Sequence, residues 1–111
     1  MLIIGEEELP TQRLMVLLRS LGCDIGVATS ARHGLTIAVT TEPDVIIISD
    51  TLPPAGQAFE LARTIRAKAR APLRLVAISD GAEPAVADNP FGCWLPLPPT
   101  KDGLRIALGL P

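Results

Sequence analysis

The sequence predicts a doubly wound α/β domain built on a parallel sheet, and two observations lead to that prediction. Short apolar segments rich in branched residues alternate along the chain with longer segments that carry one apolar stripe. The clearest apolar segments, residues 2–4, 45–48 and 73–78, are apolar on both faces, as buried parallel strands are. Weaker strands fit residues 24–28 and 93–95, so the chain forms five β/α units with helices on both faces of the sheet.

Helical patterns connect and follow these strands. Ser30 suits the N-cap of the second helix, and Gly22 suits the residue just past the end of the first. The predicted helices cover residues 10–22, 31–40 and 56–69, and a last helix begins after Thr100. The residues predicted to face the core are Leu14, Leu17, Leu18 and Leu21, then Leu35, Ala38 and Val39, then Phe59, Ala62, Ile65 and Ala69, and finally Leu104, Ala107 and Leu108.

Length and composition narrow the class of protein. A chain of 111 residues, 48% of them hydrophobic, is expected to fold as a single domain over residues 1–111. The net charge of −2 gives no electrostatic reason to expect a nucleic acid or an anionic membrane as partner. No apolar run approaches the roughly 20 residues that a membrane-spanning helix needs, so a cytoplasmic location is expected. Cys23 and Cys93 lack companions for a metal site and are expected to be reduced thiols.

Polar residues follow several of the predicted strands directly. Glu6, Glu7 and Glu8 come after the first strand, Ser49 and Asp50 after the third, and Ser79 after the fourth. Ligands of doubly wound sheets bind outside the carboxyl ends of the strands. These side chains are therefore the candidates for a functional site.

Motifs at these strand ends carry a resemblance to a known family. They are the acidic cluster after strand 1, the segment Glu-Pro-Asp-Val-Ile-Ile-Ile-Ser-Asp at 42–50, Pro54 followed by Phe59-Glu60-Leu61, the hydroxyl of Ser79 in Val-Ala-Ile-Ser, and Trp94-Leu95-Pro96-Leu97-Pro98. In this order and spacing, the chain resembles the CheY-like receiver domains of two-component response regulators over nearly its whole length. The resemblance implies a flavodoxin-like five-stranded parallel sheet in the order 2-1-3-4-5. That order puts Cys23 and Cys93 at opposite edges, too far apart for a disulfide.

The resemblance also implies a chemistry. In receivers, an aspartate at the end of strand 3 accepts a phosphoryl group from a histidine kinase, and Mg²⁺ held by acidic side chains offsets the charge. A hydroxyl after strand 4 and a lysine after strand 5 bind the phosphoryl oxygens. An aromatic residue on strand 5 acts as the switch. Ser79 matches the hydroxyl and Trp94 matches the aromatic.

The phosphoacceptor position has two candidates. Counting back from Phe59-Glu60-Leu61 gives Asp50, whereas counting forward from Pro43-Asp44 gives Ser49. A one-residue slip turns a strand side chain to the opposite face, so the choice matters. A plain structural role also fits each site residue: Asp50 as a turn residue at a strand end, Ser79 as a strand-end residue, and Trp94 as core filler.

The sequence departs from the receiver pattern at the site itself. Gly5 and Glu6 replace the paired aspartates, so Glu6, Glu7 and Asp50 form at best a weak Mg²⁺ site. Leu97 stands where the lysine is expected. Prolines and glycine between Ser79 and Trp94 leave helix 4 of the (βα)5 pattern short or missing. The prediction is an atypical pseudo-receiver that works as a protein-interaction module for a histidine kinase or a downstream signalling protein, with homodimer formation as a further possibility.

Two alternatives stay open beside this prediction. Asp50 can be a weak Mg²⁺-dependent phosphoacceptor, with residual autophosphorylation or autodephosphorylation as the only enzymatic activity. Alternatively, Arg63, Arg66 and Arg70 on helix 3 form an anion or cyclic-dinucleotide site, although an ordinary charged outer face explains them too. A metabolic enzyme is not predicted, because the sequence has no glycine-rich phosphate loop and no Cys/His or Ser/His pair.

Overall fold

A computed structural model describes residues 1–6, 9–50, 56–70, 72–79, 81, 89–96 and 99–109. Strands and helices alternate through most of this part of the chain. The elements are β1 (Leu2–Ile4), α1 (Leu9–Ser20), β2 (Gly26–Ala28), α2 (Ala31–Thr41), β3 (Val45–Ser49), α3 (Gln57–Lys68), β4 (Arg74–Ser79), β5 (Cys93–Pro96) and α4 (Lys101–Leu108).

The strands form one five-stranded parallel sheet in the order β2-β1-β3-β4-β5, which confirms the predicted fold and strand order. Ile3 of β1 pairs with Ile47 of β3, and Ile47 in turn pairs with Val76 of β4. Cys23 lies just before one edge strand and Cys93 lies in the other, and both are free thiols. The expected absence of a disulfide between them follows from this order.

Successive side chains of the buried strands point to opposite faces of the sheet, so the core has two layers. Ile46 and Ile48 point toward α2 and α3, whereas Ile47 points toward α1 and α4. All three isoleucines are at most 1% exposed, because helices cover both faces of β3. This two-sided burial is why the strand is a continuous apolar run rather than an alternating one.

Capping side chains define where two of the helices begin. The hydroxyl oxygen of Ser30 accepts a hydrogen bond from the backbone N–H of His33 at 3.2 Å, which confirms the predicted N-cap of α2. Thr100 does the same for α4 by accepting from the N–H of Gly103 at 3.0 Å. Gly22 has a φ of +81°, so the predicted glycine after α1 adopts the left-handed conformation that ends helices.

The predicted inward faces of α1 and α4 are confirmed, but those of α2 and α3 need correction. Val39 is 48% exposed, because Gly34 and Ala38, four residues apart, are the residues of α2 that are buried against the sheet. Ala69 is exposed, since α3 ends at Lys68 and Ala69 is its C-terminal cap. Ala58 and Leu61 take part in the buried face of α3 instead.

The described part of the chain contains four helices, in keeping with a short or missing helix 4 of the five-unit pattern. Residues 82–88, where that helix is expected, lie outside the described residues. Among the helices that are described, none has the length and apolar character needed to cross a membrane.

Candidate functional site

Asp50 and Ser79 meet at the carboxyl edge of the sheet. The backbone N–H of Asp50 donates to the carbonyl of Ile78 at 2.9 Å, which continues the pairing of β3 with β4 just past the end of β3. The hydroxyl of Ser79 donates to Oδ2 of Asp50 at 2.8 Å. Asp50 is exposed while Ser79 is 1% exposed, so the carboxylate is open to solvent and its partner is fixed in the core.

Ser49 occupies a different environment from Asp50. Its side chain is 2% exposed and lies close to Gly5, at the end of β1. Because successive strand residues point to opposite faces, the two candidates for the acceptor position cannot both face Ser79. Asp50 is exposed, and its carboxylate accepts the hydrogen bond from Ser79. Asp50 is therefore the candidate that faces Ser79.

Gly81 links this pair to Trp94. The backbone N–H of Gly81 donates to the Ser79 hydroxyl oxygen at 3.0 Å, and its carbonyl accepts from Nε1 of Trp94 at 3.1 Å. A chain of three hydrogen bonds therefore runs from Asp50 through Ser79 and Gly81 to Trp94. Sequence reasoning missed Gly81, although a glycine two residues after Ser79 is itself a turn signal.

Trp94 also belongs to an aromatic cluster with Phe59 of α3 and Phe91. The ring centroids are 6.0 Å apart for Phe59 and Trp94, 6.1 Å for Phe91 and Trp94, and 5.3 Å for Phe59 and Phe91. The chain has no other phenylalanine, tryptophan or tyrosine, so all of its large aromatic rings meet at this place. The indole is thus held on its apolar side by two rings and on its polar side by Gly81.

The end of β1 is crowded where the receiver pattern expects an acid. A Cβ atom on Gly5 would lie 3.1 Å from Cβ of Ser49 and 3.3 Å from Oγ1 of Thr11. Thr11 is 3% exposed, and its Oγ1 has no hydrogen-bond partner among the described residues. A side chain at position 5 would therefore be crowded by a serine and a threonine, on the face of the sheet that Ser49 occupies.

The other predicted metal residues are Glu6 and Glu7. Glu6 is exposed, and Glu7 lies outside the described residues. No three histidine, cysteine, aspartate or glutamate side chains of the described ranges are grouped so that they could hold a metal ion. Leu97, at the position expected for lysine, also lies outside the described residues.

The basic residues predicted for an anion site do not form a free cluster. Nη1 of Arg63 lies 3.4 Å from a carboxylate oxygen of Glu60, and its guanidinium stacks over Phe59 at 5.9 Å. Nε of Arg66 donates to the carbonyl of Pro90 at 3.1 Å and so ties α3 to the segment before β5. Arg70 is exposed and lies past the end of α3.

Comparison with solved structures identifies the fold. A CheY-like response regulator receiver domain from Methylobacillus flagellatus superimposes with a TM-score of 0.83 at 22% identity, over 97% of this chain and 93% of that one. The fold is that of a CheY-like receiver domain. The chemotaxis response regulator CheY4 of Vibrio cholerae shares the receiver fold at a TM-score of 0.77 and 19% identity, over 97% of this chain and 94% of that one.

A third match comes from a receiver that is part of a larger protein. The signal receiver domain of an HD domain-containing protein from Pseudomonas fluorescens Pf-5 has a TM-score of 0.79 and 22% identity, over 97% of this chain and 89% of that chain. No protein-family model and no curated protein sequence matches this chain. These three structures share the fold with this chain at 19 to 22% sequence identity.

Proposed function

We propose that the chain is an atypical receiver domain of two-component or phosphorelay signalling, which acts mainly as a protein-interaction or regulatory module and is phosphorylated poorly. The observation that carries the proposal is the 2.8 Å hydrogen bond between Asp50 and Ser79. Gly5, at a position where the receiver pattern has an acid, supplies no second carboxylate. In this proposal, Asp50 and Ser79 occupy the acceptor and hydroxyl positions of a receiver. The charges that normally support phosphoryl transfer to them are reduced.

Phosphorylation would build up negative charge on Asp50. A phosphoryl group brings negative charge to a carboxylate, and the transfer needs cations to offset it. Leu97 offers no ammonium group to the phosphoryl oxygens. The loss of one charge-assisted hydrogen bond weakens binding by about 1.5 to 3 kcal/mol, which is roughly a 10- to 100-fold change in the binding constant. Mg²⁺ binding is expected to be weak, because Gly5 gives no ligand and Ser49 and Thr11 crowd its position.

The hydrogen bonds that connect Ser79 to Trp94 support a regulatory role. The hydrogen bonds from Ser79 through Gly81 to Trp94 connect the candidate acceptor to the aromatic cluster. A partner that changes the position of Gly81 would move Trp94, with or without phosphate. The expected partners are a histidine kinase or a downstream signalling protein, and not nucleic acid or membrane, because the net charge of −2 favours neither. Homodimer formation is a further proposal, which sedimentation at several protein concentrations tests.

The fluorescence of Trp94, the only tryptophan, provides the test. The protein is titrated with Mg²⁺ and then with beryllofluoride, a mimic of the phosphoryl group, while the emission is recorded. We expect no saturable change at millimolar Mg²⁺ in the unaltered chain. A millimolar response that Asp50→Asn abolishes would show an efficient phosphoacceptor and contradict the proposal.

Leu97→Lys is the matched gain-of-function variant. If the missing ammonium group limits the site, this variant responds to beryllofluoride at about tenfold lower concentration than the unaltered chain. Leu97→Met, which has similar length and no charge, is the control and should leave the response unchanged. An equal effect of both variants would show that packing rather than charge limits the site.

A second candidate function is that of a weak, Mg²⁺-dependent phosphoacceptor at Asp50, and the exposure of its carboxylate favours it. Slow incorporation of phosphate from acetyl phosphate, detected by intact mass and lost in Asp50→Asn, would support it. A cyclic-dinucleotide site on α3 is less well supported, because Arg63 and Arg66 already have partners. Calorimetric titration with a cyclic dinucleotide, compared between the unaltered chain and Arg66→Ala, tests that alternative.

A further inference from the structure

A cavity of about 280 Å³ lies between the C-terminal ends of α2 and α3. Its apolar lining includes Ile46 of β3 and Ile65 of α3, which are 1% and 3% exposed, together with Ala38 and Leu73. Ile46 precedes Asp50 by four residues, so the cavity lies about 13 Å along the strand direction from the candidate phosphoacceptor. The cavity is therefore a separate feature at the amino end of β3.

Three charged side chains line the same cavity. They are Glu42 at the end of α2, Lys68 at the end of α3, and Arg70 just beyond it. Their side chains make no ion pair or hydrogen bond within the described ranges. An apolar cavity thus has two unpaired cations and one unpaired anion around it.

The backbone of Glu42 adds a second observation. Glu42 has a φ of 47° and is the one residue other than glycine with a positive φ in the described part of the chain. Its N–H bonds to the carbonyl of Ala38 and closes α2. Glycine would adopt this conformation at lower cost. The chain instead carries a carboxylate at this point, beside the cavity.

We propose that this cavity binds a free α-amino acid with an apolar side chain. The ligand carboxylate pairs with Lys68 and Arg70, the ammonium group pairs with Glu42, and the side chain packs on Ile46 and Ile65. The three charged residues are exposed at the rim of the cavity, and a zwitterion offers each of them a partner, whereas Glu42 repels a purely anionic apolar ligand.

The size of the cavity agrees with a single amino acid. Pockets for drug-sized molecules have volumes of roughly 300 to 1,000 Å³, so this cavity lies just below that range. The formal charge of its lining is +1, the sum of two cations and one carboxylate.

Amide chemical shifts in a two-dimensional ¹H–¹⁵N spectrum provide the test. The protein is titrated with L-leucine and L-phenylalanine, and with isovalerate and isoamylamine, which each lack one charge of leucine. We expect saturable shifts at Ile46, Ile65 and Leu73 with a millimolar dissociation constant for an amino acid. Each single-charge compound should bind about tenfold more weakly. Equal binding of isovalerate would overturn the assignment to an amino acid.

Variants separate the roles of the charges. Glu42→Gln should weaken L-leucine about tenfold and leave isovalerate unchanged or tighter. The double variant Lys68→Gln/Arg70→Gln should weaken both. Lys101→Gln, an exposed change that does not line the cavity, is the control. Unchanged affinity for L-leucine in the double variant, or no saturable shift at any millimolar concentration, would overturn the proposal. Asp50→Asn should not affect binding, so this outcome is distinct from that of the receiver proposal.

Discussion

The hydroxyl of Ser79 donates a 2.8 Å hydrogen bond to the carboxylate of Asp50 across two neighbouring parallel strands, 29 residues apart in the chain. The same hydroxyl oxygen accepts from the N–H of Gly81. A buried serine is therefore the junction between an exposed carboxylate and the backbone that holds Trp94.

The first prediction concerns the energy of this junction. In a double-mutant cycle of Asp50→Ala and Ser79→Ala, we expect a coupling of about 1 to 2 kcal/mol in the free energy of unfolding, because one partner is charged. The free energies of unfolding of all four proteins are measured by urea denaturation, with circular dichroism as the signal. Asp44→Ala, an exposed aspartate at the other end of β3, is the control for removal of a carboxylate. Additive effects of the two substitutions would contradict the coupling.

The second prediction concerns Gly5. Restoring an acid with Gly5→Asp should not raise Mg²⁺ affinity and should destabilise the fold, because the added Cβ meets Ser49 at 3.1 Å and Thr11 at 3.3 Å. Gly5→Ala alone should cost about 1 to 3 kcal/mol through overpacking. Thermal unfolding and Trp94 fluorescence with Mg²⁺ are the measurements.

The control for Gly5 is Gly26→Ala, because an added Cβ at Gly26 meets nothing within 4 Å. Removing the obstacle with Ser49→Gly should recover part of the loss caused by Gly5→Ala. A Gly5→Asp protein of normal stability with tighter Mg²⁺ binding would show that crowding by Ser49 and Thr11 does not limit the metal site.

The third prediction concerns the close approach of α2 to β1. A Cβ on Gly34 would lie 2.6 to 2.9 Å from three carbons of the Ile4 side chain. Gly34→Ala should therefore destabilise the protein by about 1 to 3 kcal/mol, although alanine favours a helix by roughly 1 kcal/mol. Thr36→Ala, an exposed substitution on the same helix, should be neutral or slightly stabilising. Thermal melts that rank the two variants in the opposite order would refute this packing.

The fourth prediction concerns the C-terminal end of α4. Nη1 of Arg74, at the start of β4, donates to the carbonyl of Ala107 at 2.9 Å and so satisfies a carbonyl in the last turn of the helix. Arg74→Met should lower the free energy of unfolding by about 1 kcal/mol, because the aliphatic part is kept while the donor is lost. Arg70→Met, which removes an exposed guanidinium with no such bond in the described structure, should have little effect on stability. Equal losses would point to general charge effects.

Local patterns predicted much of the fold. The apolar runs around Ile3, Ile47 and Val76 marked three central strands, because strands covered by helices on both faces must be apolar throughout. Ser30 and Gly22 marked helix ends through their own side-chain and backbone preferences. These signals depend on neighbouring residues only, so a single sequence contains them.

The errors fall where burial depends on a partner from elsewhere in the chain. Val39 has the apolar character of a core residue, yet it is exposed because α2 packs on Ile4 through Gly34 and buries Gly34 and Ala38 instead. Two further features were not predicted from the sequence: the aromatic cluster of Phe59, Phe91 and Trp94, and the cavity beside Glu42. Each brings together residues from elements that are distant in sequence.

The sequence by itself determined the alternation of strands and helices, the two-sided burial of the sheet, and the presence of Asp50 and Ser79 at strand ends, because each follows from short-range periodicity and residue type. Only the tertiary structure decided that Asp50, rather than Ser49, bonds to Ser79, that Gly81 carries the link to Trp94, and that Gly5 has little room for an acid. The physical reason is the register of parallel strands: one residue of slip exchanges the two faces, and no local pattern contains that register.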